Sequence, residues 1–146
     1  MNPSEQCFDI IKEFEALELE AYLDGGGVPT IGWGHTSDWK RKVKLGDKIT
    51  KEEAEDLIKT DVYEASNAIN DYVEIELTQN QYDALCSFVF NIGIDAFRSS
   101  TLLRMINQER SIKDCAPQFN RWVHDNGKVV AGLVRRRKLE RKLFES

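Results

Sequence analysis

Apolar residues recur at helical spacing in several stretches of the chain. The first stretch covers residues 4 to about 22, with Ser4 as a candidate N-cap. Thr50 opens a second helix that runs to about residue 72, and Thr78 opens a third that ends at Gly93. Each threonine begins a capping box, because a glutamate or glutamine follows three residues later. The stripe of the first helix consists of Cys7, Ile10, Ile11, Phe14 and Leu17.

Shorter helical patterns occupy the last third of the chain. They begin after residues 99–100, surround residues 116–123, and run from about 133 to 144. Pro117 is compatible with the second of these only in a first turn or at a kink. Asn126-Gly127 marks a turn between the last two.

Glycine-rich sequence separates the first two helices. Asp24 precedes three glycines, and the segment from Val28 to His35 is extended in character, which predicts a small β-hairpin or meander. Residues 40–44 are polar and predict an exposed strand or loop. The expected architecture is therefore α+β, as one domain over residues 1–146. A small β-sheet lobe (about 13–50) leads through a long connecting helix (about 51–72) to an all-helical lobe (about 78–146), on which the first helix packs.

Charge is distributed unevenly along the 146 residues. The net charge of −5 combines −11 in residues 1–100 with +6 in residues 101–146. An acidic chain is not expected to bind nucleic acid, since phosphate contacts depend on Lys and Arg. No apolar run approaches the ~18 residues of a membrane span, so stable membrane insertion is not expected. The N-terminus lacks the pattern of a secretory signal, which predicts synthesis in the cytoplasm.

Metal ligands and cofactor motifs are sparse. The chain has two histidines, and its three cysteines, Cys7, Cys86 and Cys115, show no metal-ligand spacing, so neither a metal nor a cofactor is expected. The basic run at residues 135–138 predicts a solvated helix in which Glu140 pairs with Arg136 or Arg137. Attraction to an anionic surface is the alternative interpretation of this run.

The candidate chemistry lies between Glu15 and Thr30. Glu15 follows the apolar Phe14, and partial shielding from water at this border favours a neutral acid. Asp24 lies at a glycine turn where water reaches it, and Thr30 offers a hydroxyl group to orient a water molecule. Two carboxyl groups in contrasting surroundings suit acid–base cleavage of a glycosidic bond. A simpler interpretation makes Glu15 a solvated helix charge and Asp24 a turn former.

The run from Glu15 to His35 resembles the phage-type lysozymes, the endolysins of tailed bacteriophages (glycoside hydrolase family 24). Their signature is Glu, eight residues, Asp, five residues, Thr, and then Ile-Gly-x-Gly-His, and this chain has the same spacing. Residues 80–93 and 132–143 are similar to the family as well. Ala16, where the family usually has glycine, and Pro117 are departures from the pattern.

The resemblance implies roles for individual residues. Glu15 would protonate the leaving oxygen, while Asp24, helped by Thr30, would handle the attacking water. His35 would be held structurally by Asp61. Each of Trp33, Trp39 and Trp122 is expected to pack rather than stack on sugars, and Phe90 suits the core as well as a sugar contact. The implied substrate-binding residues are Gly34, His35, Thr36, Phe90, Asn91 and Ser100.

The activity implied by the resemblance is hydrolysis of the β-1,4 bond between N-acetylmuramic acid and N-acetylglucosamine in peptidoglycan, leading to lysis of the host cell. A monomeric enzyme would accumulate in the host cytoplasm and reach the wall through a membrane lesion made by a holin. Two alternatives are a lytic transglycosylase, which the presence of Asp24 and Thr30 disfavours, and an inactive peptidoglycan-binding module, which the presence of Glu15, Asp24 and Thr30 disfavours. Inverting and retaining routes both stay open.

Overall fold

The computed structural model describes residues 1–38 and 41–146, so Trp39 lies outside the described residues. Over these residues the chain forms seven α-helices, a short 3-10 helix and five short strands. In chain order they are α1 (Glu5–Phe14), β1 (Glu18–Leu23), β2 (Pro29–Gly32), β3 (His35–Thr36), α2 (Lys51–Tyr72), α3 (Gln79–Ile92), α4 (Ile94–Arg98), α5 (Thr101–Asn107), α6 (Ile112–Cys115), the 3-10 helix (Ala116–Arg121), β4 (His124–Asp125), β5 (Lys128–Val129) and α7 (Ala131–Glu145).

The chain divides into two compact units. The sheet unit consists of residues 11–61, and the helical unit consists of residues 1–10 and 62–146. Helices α1 and α2 each contribute residues to both units. The α+β fold predicted from the sequence, with a small sheet, a long helix and a helical part, is confirmed.

The sheet unit is built on a three-stranded antiparallel meander in the order β1-β2-β3. Tyr22 pairs with Thr30 between the first two strands, and Ile31 pairs with His35 between the last two. The outer edge of β1 is covered by residues 47–49, since the Ala21 N–H donates to the Asp47 carbonyl and the Ile49 N–H donates to the Leu19 carbonyl. The core of the sheet unit consists of the buried side chains of Ile11, Ala21, Ile31, Trp33, Val43, Ile49, Ala54 and Ile58.

The first helix is shorter than its apolar stripe predicts. Helix α1 ends at Phe14, and residues 18–23, expected to extend it to about Tyr22, form strand β1. The apolar and charged residues of this segment suit either structure locally. Its strand conformation depends on hydrogen bonds to β2 and to residues 47–49, which lie far away in the sequence. The helix prediction for this segment was therefore wrong.

The predicted capping boxes are confirmed at both threonines. At the start of α2 the Glu53 N–H donates to Thr50 Oγ1 and the Thr50 N–H donates to Glu53 Oε1, both at 3.1 Å. The same reciprocal pair joins Thr78 and Gln81 at the start of α3. Helix α3 ends at Ile92, and the predicted stop, Gly93, is its C-cap with a φ of 94° that is accessible mainly to glycine.

The helical unit has an aromatic core between α3, the 3-10 helix and α7. Phe119 lies between Phe88 and Phe144, with ring centroids 5.0 Å and 5.3 Å apart. Pro117 falls in the first turn of the 3-10 helix, where its missing N–H costs no hydrogen bond. The predicted turn at Asn126-Gly127 joins β4 to β5, and both residues have positive φ. This small hairpin is an addition to the all-helical part that was expected.

Neither disulfides nor membrane spans occur in the described part of the chain. The thiols of Cys7, Cys86 and Cys115 are free and buried. No helix within residues 1–38 and 41–146 combines the length and apolar character needed to cross a membrane.

Candidate active site

Glu15 is the first residue after α1. Its N–H still donates to the Ile11 carbonyl at 2.8 Å, which fixes the backbone as the chain leaves the helix. The side chain is half-buried. The end of α1 and the following turn therefore hold a carboxyl group partly away from water within the sheet unit.

The backbone of Gly34 lies close to the Glu15 carboxyl group. A Cβ placed on Gly34 would lie 2.9 Å from Glu15 Oε2 and 3.2 Å from its Cδ. The φ of +76° at Gly34 also favours glycine. This position of the Ile-Gly-x-Gly-His motif thus brings backbone, rather than a side chain, against Glu15.

Asp24 lies at the tip of the β1–β2 hairpin and is exposed. Its Oδ1 accepts hydrogen bonds from the Gly26 and Val28 N–H groups, both at 2.8 Å. Asp24 Oδ2 has no hydrogen-bond partner within residues 1–38 and 41–146. The turn that Asp24 forms also fixes its carboxylate, so the turn-former interpretation and the catalytic interpretation are compatible.

The hydroxyl hydrogen of Thr30 is already used in a hydrogen bond. Its Oγ1 donates to the Val28 carbonyl at 2.9 Å, and the residue is 4% exposed. Since a hydroxyl oxygen carries two lone pairs, Oγ1 can still accept a hydrogen bond from water. Thr36 is exposed and pairs with Thr30 from strand β3, which lies on the side of β2 opposite to β1.

Tyr22 is a residue of this region that the sequence analysis missed. Burial, together with the negative charges of Glu15, Glu18 and Asp24, raises the pKa of Tyr22 above its usual value. Tyr22 is also the cross-strand partner of Thr30. The available signal was its place two residues before Asp24, because alternate residues of an extended strand share a face.

His35 is buried and held between carboxylates of the sheet unit. Its Nδ1–H donates to Asp61 Oδ2 at 2.8 Å, which confirms the predicted pairing, and its Nε2 lies 3.8 Å from Asp38 Oδ2. The hydrogen bond to Asp61 raises the pKa of His35, despite the opposing effect of burial. With 3% of its surface exposed, the ring serves the structure, and we leave His35 out of the proposed sugar contacts.

The remaining candidates belong to the helical unit. Phe90 and Asn91 lie half-buried in the last turn of α3. Ser100 is 6% exposed, and its hydroxyl caps α5 by accepting from the Leu103 N–H while donating to the Phe97 carbonyl. Because its hydrogen is used in this cap, the Ser100 hydroxyl has no hydrogen left to donate to a sugar, and we also leave Ser100 out of the proposed sugar contacts.

Two tryptophans pack as the sequence analysis expected. Trp33 is 7% exposed, and the Lys12 ammonium lies 4.5 Å from its ring centroid. Trp122 packs edge-on against Phe88 with centroids 5.9 Å apart.

The basic run on α7 is only partly solvated. Arg136 and Arg137 are 2% and 1% exposed, and both pair with the fully buried Glu140. The predicted pairing is confirmed, but the prediction of a solvated helix was wrong for these residues. Helical spacing turns this face of α7 toward α3, where Ser87 supplies a polar partner.

Metal ligands do not gather in the described part of the chain. Over residues 1–38 and 41–146, no three His, Cys, Asp or Glu side chains lie close enough together to hold a metal ion.

Comparison with known proteins identifies the class. The family model described as phage lysozyme matches residues 12–140. An endolysin from Acyrthosiphon pisum secondary endosymbiont phage 1 is 41% identical over 150 residues, covering 100% of this chain and 99% of the relative. The solved endolysin of Escherichia coli O157:H7 phage FAHEc1 superposes with a TM-score of 0.88 at 39% identity, covering 99% of this chain and 93% of that one. The muramidase domain of SpmX from Asticaccaulis excentricus superposes with a TM-score of 0.84 at 39% identity, covering 97% of this chain and 95% of that one.

The fold and these relatives define a glycosidase of the lysozyme type. The chain belongs to the phage lysozyme family. Its enzyme class, a peptidoglycan hydrolase of the endolysin type, agrees with the class that the sequence signature implied.

Proposed function

We propose that Glu15, Asp24 and Thr30 carry out the hydrolysis of the β-1,4 bond between N-acetylmuramic acid and N-acetylglucosamine. The observation that carries the proposal is the contrast between the two carboxyl groups of the sheet unit. Glu15 is half-buried against the Gly34 backbone, whereas Asp24 is exposed and anchored by two N–H groups. Glycosidases need one carboxyl group as a proton donor and a second that stays charged.

The roles follow from what each group can donate or accept. Glu15 protonates the glycosidic oxygen as the bond to the sugar breaks. Asp24 accepts a hydrogen bond from the attacking water through Oδ2, since its Oδ1 is occupied by the turn. Thr30 accepts a second hydrogen bond from that water, because its own hydrogen is directed to the Val28 carbonyl.

Replacement of the proposed acid tests this assignment. Glu15→Gln keeps the size of the side chain but cannot donate a proton, so clearing of outer-membrane-permeabilised cells should fall by about 100-fold or more. Glu13→Gln is the matched control, because Glu13 is an exposed glutamate of α1 two residues away. Equal clearing by wild type and Glu15→Gln would exclude Glu15 as the acid.

The released products separate hydrolysis from its alternatives. Hydrolysis leaves reducing muramic acid ends, whereas a lytic transglycosylase leaves anhydro-muramic ends. A wall-binding module would release neither. Anhydro products from wild-type protein would overturn the roles given to Asp24 and Thr30, and the anomeric configuration of reducing products would assign an inverting or retaining course.

We also propose that the protein acts as a monomer that lyses the host cell from within, after a holin opens the membrane. The support is similarity to endolysins. Cells that express the chain should keep their optical density until the cytoplasmic membrane is permeabilised, and then clear rapidly. Clearing without permeabilisation would contradict dependence on a holin.

A further inference from the structure

Phe90 and Asn91, at the end of α3, rest on a buried group of charged residues from α7. We call this group the arginine cluster; it consists of Arg136, Arg137 and Glu140. Their exposed fractions are 2%, 1% and 0%. Charged side chains are rarely buried to this extent unless each charge is compensated by a partner.

Glu140 is shared between the two arginines. Its Oε1 lies 2.9 Å from Arg137 Nε, and its Oε2 lies 3.3 Å from Arg136 Nε while accepting a hydrogen bond from Ser87 Oγ. Burial lowers the pKa of Arg137 to about 10, so its guanidinium stays charged at neutral pH. Because Glu140 is shared with Arg136, the remaining N–H groups of Arg137 need further acceptors.

Asn91 supplies one of these acceptors. Arg137 Nη2 donates to Asn91 Oδ1 at 2.6 Å. A guanidinium has donors only, so the atom of the Asn91 amide that faces it must be the oxygen. The two N–H groups of Asn91 Nδ2 then lie on the other side of the amide, and they donate to no side chain or backbone group within residues 1–38 and 41–146.

Asn91 is thus fixed as a hydrogen-bond donor on a half-buried surface of the helical unit. Phe90, next to it, lies under the Arg136 guanidinium with 5.9 Å between Cζ and the ring centroid, so both residues of this turn are held by the cluster. A fixed N–H donor beside an aromatic ring suits a sugar that carries an amide carbonyl oxygen.

We propose that Arg137 is a positioning residue, which directs the Asn91 amide so that it donates to an N-acetyl carbonyl oxygen of the glycan. Arg137 itself does not touch the sugar. The proposal rests on the proposed function, since that function supplies an N-acetylated glycan as the ligand.

Asn91→Asp separates the donor from the buried contact. A carboxylate at residue 91 would keep its partner Arg137, so the thermal stability should be equal to that of the parent or higher. The same carboxylate has no hydrogen to donate to a carbonyl oxygen. Affinity for the N-acetylglucosamine hexamer should therefore fall about tenfold, the order expected for the loss of one directed hydrogen bond.

Binding is measured separately from catalysis. All proteins in the titration carry Glu15→Gln, so the hexamer is not cleaved, and calorimetry compares it with the de-N-acetylated glucosamine hexamer. The parent should prefer the N-acetylated hexamer. Asn91→Asp should lose this preference or reverse it, because a carboxylate attracts the free ammonium groups of the second ligand.

A double-mutant cycle tests whether Arg137 acts through Asn91. Arg137→Lys keeps the charge but not the fork geometry that holds the amide oxygen, so it should weaken binding of the N-acetylated hexamer several-fold. In an Asn91→Ala background the same change should have no effect on binding. Arg141→Lys is the control on α7, since Arg141 pairs with Glu145 at the surface.

Two results would overturn the proposal. One is unchanged affinity of Asn91→Asp for the N-acetylated hexamer, and the other is an equal effect of Arg137→Lys with and without Asn91. Failure of the proposed function is a different observation, namely that wild-type protein releases no reducing ends from peptidoglycan. The binding preference is measured without cleavage, so the proposal for Arg137 and the proposed hydrolytic function are tested independently.

Discussion

Gly34 combines two properties that only glycine supplies. Its φ of +76° lies in the left-handed region, and any Cβ there would press against the Glu15 carboxyl group at 2.9 Å. The first property affects the stability of the fold, whereas the second affects the position of the proposed acid. A second glycine with the same backbone angle allows the two effects to be separated.

Gly34→Ala should reduce activity far more than it reduces stability. The Cβ would displace the Glu15 carboxyl group, and a shift of about 1 Å in a reacting group costs on the order of 100-fold in rate. The positive φ should cost about 1–2 kcal/mol of unfolding free energy. The measurements are the rate of reducing-end release and urea denaturation.

Gly127→Ala is the control for backbone strain. Gly127 also has a φ of +76°, but a Cβ there would meet nothing within 4 Å. It should show a similar loss of stability with activity close to wild type. If both variants lost activity equally, strain rather than contact with Glu15 would explain the effect of Gly34→Ala.

The spacing of residues in the signature identified the candidate catalytic groups but not the contacts around them. Glu15, Asp24 and Thr30 were identified from their spacing, and all three lie in one compact unit. Gly34 is expected to contact substrate, and the structure also places its backbone against Glu15, which the spacing did not indicate. A motif read along the chain does not show how closely the backbone of one turn approaches the side chain of another.

At the scale of elements, the local sequence pattern identified helices that have good N-caps. It failed for a strand whose hydrogen-bond partners lie far away in the sequence. Thr50 and Thr78 have their capping partners three residues away, so the sequence contains the whole interaction. Strand β1 depends on β2 and on residues 47–49, and its glutamates and leucines equally suit a helix. The extent of α1 was overestimated for this reason.

The hydrogen bond between His35 and Asp61 joins β3 to α2 within the sheet unit. Because the pKa of His35 is raised in the folded state, protonated His35 stabilises the fold. This contribution is fully present below the unfolded pKa of about 6.5 and is lost as the pH rises through the raised folded value.

Asp61→Asn should therefore destabilise the protein in a pH-dependent manner. We expect a loss of about 1.5–3 kcal/mol near pH 5, the range for a hydrogen bond between charged groups, and a smaller loss near pH 9. Urea denaturation across this pH range measures it. Asp56→Asn is the control, since Asp56 is an exposed residue on the same helix. A loss that did not change with pH would contradict a charged His35.

For the whole molecule, burial changes which charges face the solvent. Residues 101–146 carry a balance of +6, but Arg136 and Arg137 are buried with Glu140. The exposed cations of α7 are Arg135, Lys138 and Lys142. The sequence predicted the positive net charge of this region. It did not predict which arginines are buried, because their burial depends on how α7 packs against α3.

These exposed cations should assist binding to an anionic cell wall. Charges at the edge of a binding surface mainly affect association, and salt screens them over about 8–10 Å. Replacing Lys138 and Lys142 together by glutamine should lower the rate of wall digestion several-fold at low salt. It should also flatten the decline of that rate as NaCl is raised from about 25 to 250 mM.

A second double variant tests whether the location of the removed charges matters or only the net charge. Lys51→Gln with Lys59→Gln removes the same charge from exposed positions on α2 and should leave the salt dependence as in wild type. Hydrolysis of a neutral N-acetylglucosamine oligomer should be equal for all three proteins, since that substrate carries no charge for the cations to attract. If both double variants lost wall digestion to the same degree, the effect would come from overall charge, and α7 would have no special part in binding the wall.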